Sequence, residues 1–310
     1  MTFDKQQPKL IIHGGASSAQ GKGVDAVRQS LYKVLEDVYG LLLAGATACE
    51  AVVRGCRLLE DEPRFNAGTG SVLQSDGQIR MSASLMDSTT QAFSGVINVS
   101  WVQNPIELAL ALQDYPDRVL SDYGAAELVR EMALPIYNPL TEERLQEWLQ
   151  DRQDNFPRKM ANLVSTPAGT GTIGVVALDD RGCLAAGTST GGKGFERIGR
   201  VSDSAMPAGN YATSLAGISC TGIGEDIIDE CLAARIVVRV TDGLSLSAAF
   251  ERSLTEAKRN QRDLGAIGID ATGAIAWGKT SEVLLAAYHT GEKIGDTIEW
   301  SAEELTGFAE

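Results

Sequence analysis

Residues 171–179 of this 310-residue chain read GTIGVVALD, and this stretch decides how the middle of the chain folds. From Thr172 to Leu178 it is a continuous apolar run, which is typical of a buried strand. The preceding residues 157–171 are rich in proline, glycine, serine and threonine without clear periodicity, which indicates a linker. Residues 179–182 predict a turn, and residues 183–188 predict a partner strand. The sequence therefore places a buried hairpin directly after its best linker candidate.

Helical and strand patterns alternate on both sides of this hairpin. On the N-terminal side, apolar residues recur at three- and four-residue spacing over 24–60, and Gly45 breaks the pattern into two helices. The other predicted elements are a strand at 8–12, a loop at 61–70, β-hairpins within 70–102, helices within 104–156, strands at 215–220, 265–270 and 274–278, and helices at 225–240 and 245–260. Strands flanked by helices predict an α/β or layered α+β domain.

The overall charge argues against partners that carry phosphate. Aspartate and glutamate outnumber lysine and arginine by 41 to 27, which gives a formal net charge of -14. Such a chain repels nucleic-acid backbones and anionic membranes at long range, and no basic run offsets the charge. Five scattered cysteines do not suggest a disulfide framework, and the first ten residues lack a signal-peptide core. We therefore expect a cytoplasmic enzyme without nucleic-acid or membrane partners.

Histidine is scarce, and this limits the available chemistry. The chain has only His13 and His289, which lie far apart and outside any metal-binding motif. A histidine-rich zinc site is therefore not expected. A Ser-His-Asp triad would have to use one of these two residues, each of which is more often a packed or surface side chain. A hydrolase with this sequence needs a general base of another kind.

The Gly171-Thr172 pair supports two interpretations. In the simpler one, the linker ends and the strand begins. In the chemical one, the Thr172 hydroxyl attacks the approachable Gly171 carbonyl, and water cleaves the resulting ester. The new N-terminal threonine carries an α-amine with an unperturbed pKa of about 7.7–8.0, which can act as a general base.

Two glycine-rich motifs also have competing interpretations. Residues 273–280, GAIAWGKT, fit the spacing of a phosphate-binding loop, but the residues between the glycines suit a hairpin strand better. Residues 219–225, SCTGIGE, lie between a predicted strand and a predicted helix. There, Glu225 and Asp226 act either as helix caps or as neighbours of backbone amides that stabilise an oxyanion.

Two polar clusters complete the candidate site. Residues 188–192, TSTGG, are either a polar turn or a source of hydroxyl groups. In residues 199–203, GRVSD, Arg200 and Asp203 are either a surface ion pair or a clamp for a substrate that carries a carboxylate and an ammonium group.

Taken in order along the chain, six stretches resemble the plant-type L-asparaginase/isoaspartyl aminopeptidase family of N-terminal-nucleophile hydrolases. They are IIHGGA (11–16), RLLEDEPRFNAGTGSV (57–72), GTIGVVALD (171–179), AAGTSTGG (185–192), GRVSD (199–203) and SCTGIGE (219–225). The resemblance implies a four-layer αββα sandwich in a single domain spanning 1–310. It also implies cleavage into an α subunit of 1–171 and a β subunit of 172–310, assembled as a dimer of such αβ pairs.

The same resemblance implies roles for individual residues. Thr172 would be the nucleophile, Thr190 would orient it, and the Thr221 hydroxyl and Gly222 amide would form the oxyanion hole. The substrate would be held through its α-carboxylate by Arg200 and through its α-ammonium by Asp203 and the Gly224 carbonyl, with Asn66 supporting the site. No cofactor is implied for the chemistry, but a structural sodium ion is, with candidate carbonyl ligands on Leu59, Glu60, Glu62, Phe65, Ala67 and Thr69.

The implied reaction is hydrolysis of the β-aspartyl amide bond in L-asparagine or in an isoaspartyl dipeptide. The chain departs from the family pattern at Ser82, Ser88, Ser202 and 277–280, so the resemblance does not define the leaving-group pocket. Alternatives are a glycosylasparaginase, a nucleotide-binding protein that uses residues 273–280, and an inactive precursor that only binds partners.

Overall fold

The computed structural model describes residues 6–17, 24–153, 171–300 and 303–309. Apart from Gly171, the predicted linker at 157–171 lies outside these residues. The helices are α1 (Val24–Leu43), α2 (Ala48–Glu60), α3 (Pro105–Ala111), α4 (Asp122–Glu131), α5 (Glu142–Gln153), α6 (Gly224–Glu230), α7 (Leu232–Thr241) and α8 (Leu246–Arg259). The strands are β1 (Lys9–Ser17), β2 (Met81–Asp87), β3 (Ala92–Val99), β4 (Val119–Ser121), β5 (Ile173–Leu178), β6 (Leu184–Thr190), β7 (Asn210–Ala212), β8 (Ala216–Gly222), β9 (Leu264–Asp270), β10 (Ile275–Lys279), β11 (Val283–His289), β12 (Ile294–Asp296) and β13 (Thr306–Ala309).

These strands form two sheets. The larger has the order β12-β11-β1-β5-β6-β2-β3-β4, and the smaller has the order β13-β10-β9-β8-β7. All neighbours are antiparallel except β3 and β4, which are parallel. The predicted hairpin forms the centre of the larger sheet, with Ile173 opposite Ser189 and Leu178 opposite Leu184.

The strand residues explain how the sheets stack. Along β5, Val175 and Ala177 join the core beneath α1, α2 and α3, whereas Val176 and Leu178 join a second core between the sheets. Because side chains alternate across a strand, a strand that is buried on both faces must be apolar throughout. A third core lies between the smaller sheet and helices α7 and α8. The expected four-layer αββα sandwich is thereby confirmed.

Local sequence signals explain several element boundaries. Thr47 caps α2 in a capping box with Glu50, and Gly45 separates α1 from α2 as predicted. The predicted helix at 225–240 is wrong as a continuous element, because Cys231 adopts a left-handed conformation (φ 46°) between α6 and α7. Within the predicted helical region at 104–156, residues 119–121 instead form the short edge strand β4.

The phosphate-loop alternative is contradicted by the fold. Residues 275–279 pair with β9 as strand β10, and the next element is strand β11 rather than a helix. Lys279 is buried, and its Nζ donates to the Glu282 carbonyl at 2.5 Å. A phosphate loop needs free backbone amides ahead of a helix, and these residues provide neither.

Candidate active site

Thr172 lies immediately before β5 at one end of the sandwich. The residue is 9% exposed, and its hydroxyl donates to the Thr190 hydroxyl at 3.0 Å. The pairing of β5 with β6 produces this contact, because Ile173 opposite Ser189 brings the preceding residue level with the end of β6. Thr190 also accepts a hydrogen bond from the Gly192 amide at 3.1 Å. The two threonines that were singled out in the sequence are therefore direct partners.

Asn66 supports this arrangement from the loop after α2. Its backbone carbonyl accepts from the Gly191 amide at 2.8 Å, and its side-chain amide donates to the Gly192 carbonyl at 2.6 Å. Its side-chain oxygen accepts from the Val72 amide at 3.0 Å. Asn66 thus fixes the glycine turn after Thr190. All three of these recorded hydrogen bonds are to main-chain groups.

The smaller sheet brings Thr221 to the same place. Its hydroxyl oxygen accepts from the Ala16 amide at 3.1 Å, which leaves the hydroxyl proton available for another acceptor. A side chain built on Gly171 would start 3.5 Å from this oxygen, so Thr221 adjoins the Gly171-Thr172 bond. Gly222, next to Thr221, has a φ of 125°, which glycine adopts without strain.

The predicted clamp residues also assemble, but with a different ion pair. Arg200 donates to both carboxylate oxygens of Glu225, from Nε at 2.9 Å and from Nη2 at 3.1 Å. Lys193 joins the same carboxylate at 3.1 Å. The interpretation of Arg200 and Asp203 as a surface ion pair is therefore wrong, since Glu225 is the partner of Arg200. The sequence signal for Glu225 is its place in the SCTGIGE motif, which left open whether it caps the helix or lies beside oxyanion-stabilising amides, and which did not predict its pairing with Arg200.

Asp203 is a buried carboxyl group next to this ion pair. It is 3% exposed, and its Oδ2 has no hydrogen-bond partner among the described residues. Burial raises the pKa of Asp203 to about 7, although the charge of Arg200 opposes the shift. A side chain on Gly224 would start 2.7 Å from Asp203 Oδ1 and 2.6 Å from Arg200 Nη2, so Gly224 leaves space between the two groups.

Glu225 has the opposite electrostatics. Burial disfavours its charged form, but hydrogen bonds and charge from Arg200, together with Lys193, lower the pKa of Glu225 to about 2. Glu225 is therefore ionised over the whole physiological range, while Asp203 titrates near neutrality. Two cations, Arg200 and Lys193, share the one Glu225 carboxylate, so positive charge remains beside the Asp203 carboxyl group. This arrangement is suited to a ligand that carries both a negative and a positive group.

His13 is placed as a structural residue. It is fully buried, and its Nε2 lies 2.9 Å from the Ser219 hydroxyl, which in turn lies 2.7 Å from the Thr188 hydroxyl. Burial lowers the pKa of His13 to about 3, and the nearby backbone of Thr172 opposes this shift only in part. Nδ1 has no hydrogen-bond partner among the described residues. The neutral imidazole links the two sheets under the site, and sequence reasoning missed this polar chain.

The loop with the candidate sodium ligands curls at the end of α2. The carbonyls of Leu59, Glu60 and Glu62 accept backbone hydrogen bonds at 3.4, 2.8 and 3.1 Å. Within the described ranges, the carbonyls of Phe65, Ala67 and Thr69 accept no backbone hydrogen bond. All six candidate ligands are neutral main-chain carbonyl oxygens. Oxygen donors of this kind fit a hard cation.

The departures from the family pattern lie partly at this site. Ser82 is opposite Thr190 in the β2–β6 pairing, and its hydroxyl accepts from the Asn98 amide at 3.2 Å. Ser202, next to Asp203, is buried with an unpartnered hydroxyl in the described part of the chain. Ser88 lies away from the site at the end of β2, where it accepts from the Leu184 amide at 2.9 Å.

Comparison with known proteins decides the family. A family model described as Asparaginase matches residues 6–299. The chain belongs to the asparaginase family. One relative, the isoaspartyl peptidase/L-asparaginase of Nostoc sp., is 72% identical over an alignment that covers 97% of this chain and 98% of that protein. The protein of the same name from Synechocystis sp. is 65% identical over 94% of this chain and 91% of its own length. The plant-type L-asparaginase of Pyrococcus horikoshii is 34% identical over 90% and 95%.

Family membership confirms the resemblance inferred from the six stretches, and with it the expectation of a hydrolase. Two further features are absent from the described residues. No group of three or more histidine, cysteine, aspartate or glutamate side chains there could hold a metal ion. No helix in those residues is both long and apolar enough to cross a membrane.

Proposed function

We propose that this asparaginase-family chain hydrolyses the β-aspartyl amide bond of L-asparagine and of isoaspartyl dipeptides, with Thr172 as the nucleophile. One observation carries the proposal: the hydroxyl of Thr172 is buried against Thr190, and Thr221 of the other sheet lies beside the Gly171-Thr172 peptide bond. A nucleophile from one sheet thus faces candidate oxyanion donors from the other. The names of the relatives from Nostoc and Synechocystis agree with this activity.

The nucleophile is activated when the chain cleaves itself between Gly171 and Thr172. The Thr172 oxygen attacks the Gly171 carbonyl carbon, the peptide C–N bond breaks as an ester forms, and water hydrolyses the ester. Gly15 packs directly against the cleavage site, where only glycine fits, because a side chain on it would start 2.2 Å from the Gly171 nitrogen. The products are an α subunit of 1–171 and a β subunit whose first residue is Thr172.

In turnover, the new α-amine of Thr172 removes the proton from its own hydroxyl. The oxygen attacks the β-carbonyl carbon of the substrate, and the negative oxygen that develops accepts from the Thr221 hydroxyl and the Gly222 amide. The C–N bond of the substrate breaks, and the leaving amine takes the proton that the α-amine of Thr172 had accepted. Water then attacks the threonine ester and releases L-aspartate.

Substrate selection depends on the two groups at the α-carbon. Among the described residues no hydrogen bond is recorded for Arg200 Nη1, so this group can hold the α-carboxylate while Glu225 binds Nε and Nη2. Asp203 and the Gly224 carbonyl accept from the α-ammonium. Since both α-groups must be free, an aspartyl residue in the interior of a polypeptide does not fit.

The loop from Leu59 to Thr69 would hold a sodium ion through the carbonyls of Leu59, Glu60, Glu62, Phe65, Ala67 and Thr69. An ion there supplies no chemistry to the reaction. It would stiffen the loop that carries Asn66, and through Asn66 the glycine turn beside Thr190. We also propose that two αβ pairs assemble into a dimer, as in the family that the chain resembles.

Cleavage and activity can be tested together. Purified wild-type protein is expected to give two bands on a denaturing gel, with TIGVV as the N-terminal sequence of the smaller fragment. Thr172→Ala is expected to stay intact and to lose at least about 10³-fold in activity, because it lacks both the nucleophile and the cut. Thr272→Ala, in the exposed turn between β9 and β10, is the control and should behave as wild type. Uncut wild-type protein with full activity would contradict the mechanism.

Substrate choice is measured on the same preparations with L-asparagine, a β-aspartyl dipeptide and an asparagine-linked sugar. Release of aspartate from the first two substrates supports the proposal. Activity restricted to the sugar conjugate would instead favour the glycosylasparaginase alternative.

A further inference from the structure

The backbone at residues 262–264 directly supports the turn that carries the proposed oxyanion donors. A side chain on Gly222 would start 2.6 Å from the Leu264 Cα and 2.7 Å from the Asp263 carbonyl oxygen. The amide of Ile223 donates to that same carbonyl at 2.9 Å. The exposed Gly222 is therefore in direct contact, on its inner side, with the residues that lead into β9. Any movement of these residues moves the Gly222 amide.

Thr280, at the end of the neighbouring strand β10, binds the segment 262–264 through hydrogen bonds. Its hydroxyl donates to the Arg262 carbonyl at 2.6 Å and accepts from the Leu264 amide at 3.0 Å. Its own amide donates to the Leu264 carbonyl at 2.8 Å. One side chain thus bridges the main chain on both sides of Asp263. Thr280 ends the GKT sequence that has the spacing of a phosphate loop, and these contacts give that threonine a different use.

Asp226 holds the same support from the other side. Its Oδ2 accepts from the Asp263 amide at 2.9 Å, and its Oδ1 accepts from Arg262 Nη1 at 3.1 Å. Hydrogen bonds to an ionised carboxylate are shorter and stronger than neutral ones. Asp226 lies in the first turn of α6, two residues after Gly224. The turn at 221–226 and the segment at 262–264 are therefore tied together by both main-chain and side-chain contacts.

We propose that Thr280 and Asp226 are positioning residues, which hold the Gly222 amide and the Thr221 hydroxyl at the distance that the developing oxyanion requires. This inference rests on the proposed function, which assigns the oxyanion hole to these two groups. Donors must lie about 2.7–3.1 Å from the oxyanion, and displacement of a donor costs rate in the chemical step. Substrate is held mainly by Arg200 and Asp203. The loss is therefore expected in kcat, with KM little changed.

The test uses the cleaved enzyme with three substitutions. Thr280→Val keeps the shape of the side chain but removes the hydroxyl and all of its hydrogen bonds, whereas Thr280→Ser keeps the hydroxyl. Thr272→Val is the matched control, since Thr272 lies at the opposite end of the β9–β10 hairpin and its hydroxyl donates to Asp270 at 2.6 Å. We expect Thr280→Val to lower kcat about 10- to 100-fold with KM within about threefold of wild type. Thr280→Ser and Thr272→Val should stay within about threefold of wild type in both constants.

Hydrogen exchange separates this proposal from the proposed function. Amides of the peptide covering 221–226 should exchange faster in Thr280→Val than in wild type and in Thr272→Val, whether or not β-aspartyl substrates are hydrolysed. Faster exchange without any wild-type activity would reject the proposed function and retain the structural tie. Unchanged kcat, or exchange in 221–226 equal to wild type, would overturn the positioning role. If Thr280→Val does not fold, Asp226→Asn is measured in the same way, with the same expected split between kcat and KM.

Discussion

At the scale of single residues, the electrostatics of Asp203 predict how activity depends on pH. Burial raises the pKa of this carboxyl from 3.8 to about 7, so the substrate-free enzyme gains a proton there as the pH falls through neutrality. A neutral carboxyl group cannot pair with the substrate ammonium. We therefore expect the titration of Asp203 to lower kcat/KM about tenfold per pH unit below about 7, in addition to the fall that protonation of the Thr172 amine causes. In the bound complex the ammonium keeps Asp203 ionised, so kcat should lack this step.

The measurement is a pH profile of kcat and kcat/KM for wild type and for Asp203→Asn. In the variant, kcat/KM should be low and should lack the step near 7. A step near 7 in kcat/KM that persists unchanged in Asp203→Asn would contradict the assignment to Asp203. Stability gives an independent check. Because the folded pKa is the higher one, the contribution of Asp203 is fully present below pH 3.8 and is lost as the pH rises through about 7. Asp203→Asn should remove that part of the slope.

At the scale of elements, four helices end in the same backbone motif with different residues at the left-handed position. Gly45 after α1 and Gly243 after α7 occupy it with φ of 91° and 99°, whereas Ala133 after α4 and Gln261 after α8 occupy it with φ of 51° and 57°. In each case the next residue donates back across the last turn, as Leu134 does to Val129 at 3.2 Å. The left-handed residue itself also donates across the turn, as Ala133 does to Arg130 at 3.0 Å. These two hydrogen bonds define the Schellman motif, which favours glycine at the left-handed position.

A reciprocal pair of substitutions measures how much glycine at the left-handed position contributes to the free energy of unfolding. Ala133→Gly is expected to stabilise the protein by about 0.5–1 kcal/mol, and Gly243→Ala to destabilise it by about 1 kcal/mol. Both sites are exposed, and a side chain on Gly243 would meet no atom within 4 Å, so the backbone alone accounts for the effect. Urea unfolding in the uncut Thr172→Ala background keeps every molecule a single chain. Shifts of the same sign in both variants would contradict this account.

The same helix ends show how far local sequence predicts this fold. Gly45 is a visible break, and the apolar run from Thr172 to Leu178 is a visible strand, so both were predicted. Cys231 carries no such signal, because cysteine, unlike glycine, has no preference for the left-handed conformation that it adopts between α6 and α7. The site divides in the same way. Arg200 was found from its motif, but its pairing with Glu225 is a contact between residues 25 positions apart, which spacing alone does not give.

At the scale of the whole molecule, the two proposed subunits are interleaved within one sheet. β1 lies between β11 and β5, and β2 pairs with β6, so strands from before Thr172 pair with strands from after it at three places in the larger sheet. The core between the sheets likewise combines Ile11 and Met86 with Val176 and Ile267. Cutting one peptide bond at the edge of this arrangement removes no strand pairing.

This interleaving predicts that the fragments stay together after cleavage. The cut protein should elute from a size-exclusion column as one species, with both fragments in constant ratio across the peak, and should separate only in denaturant. The reason is that release of residues 1–171 would expose the edges of β5, β6 and β11 and open two cores, a cost far above that of one lost peptide bond. Uncut Thr172→Ala is the reference for the elution position. Separation of the fragments under native conditions would show that the strand order does not hold the cut molecule together.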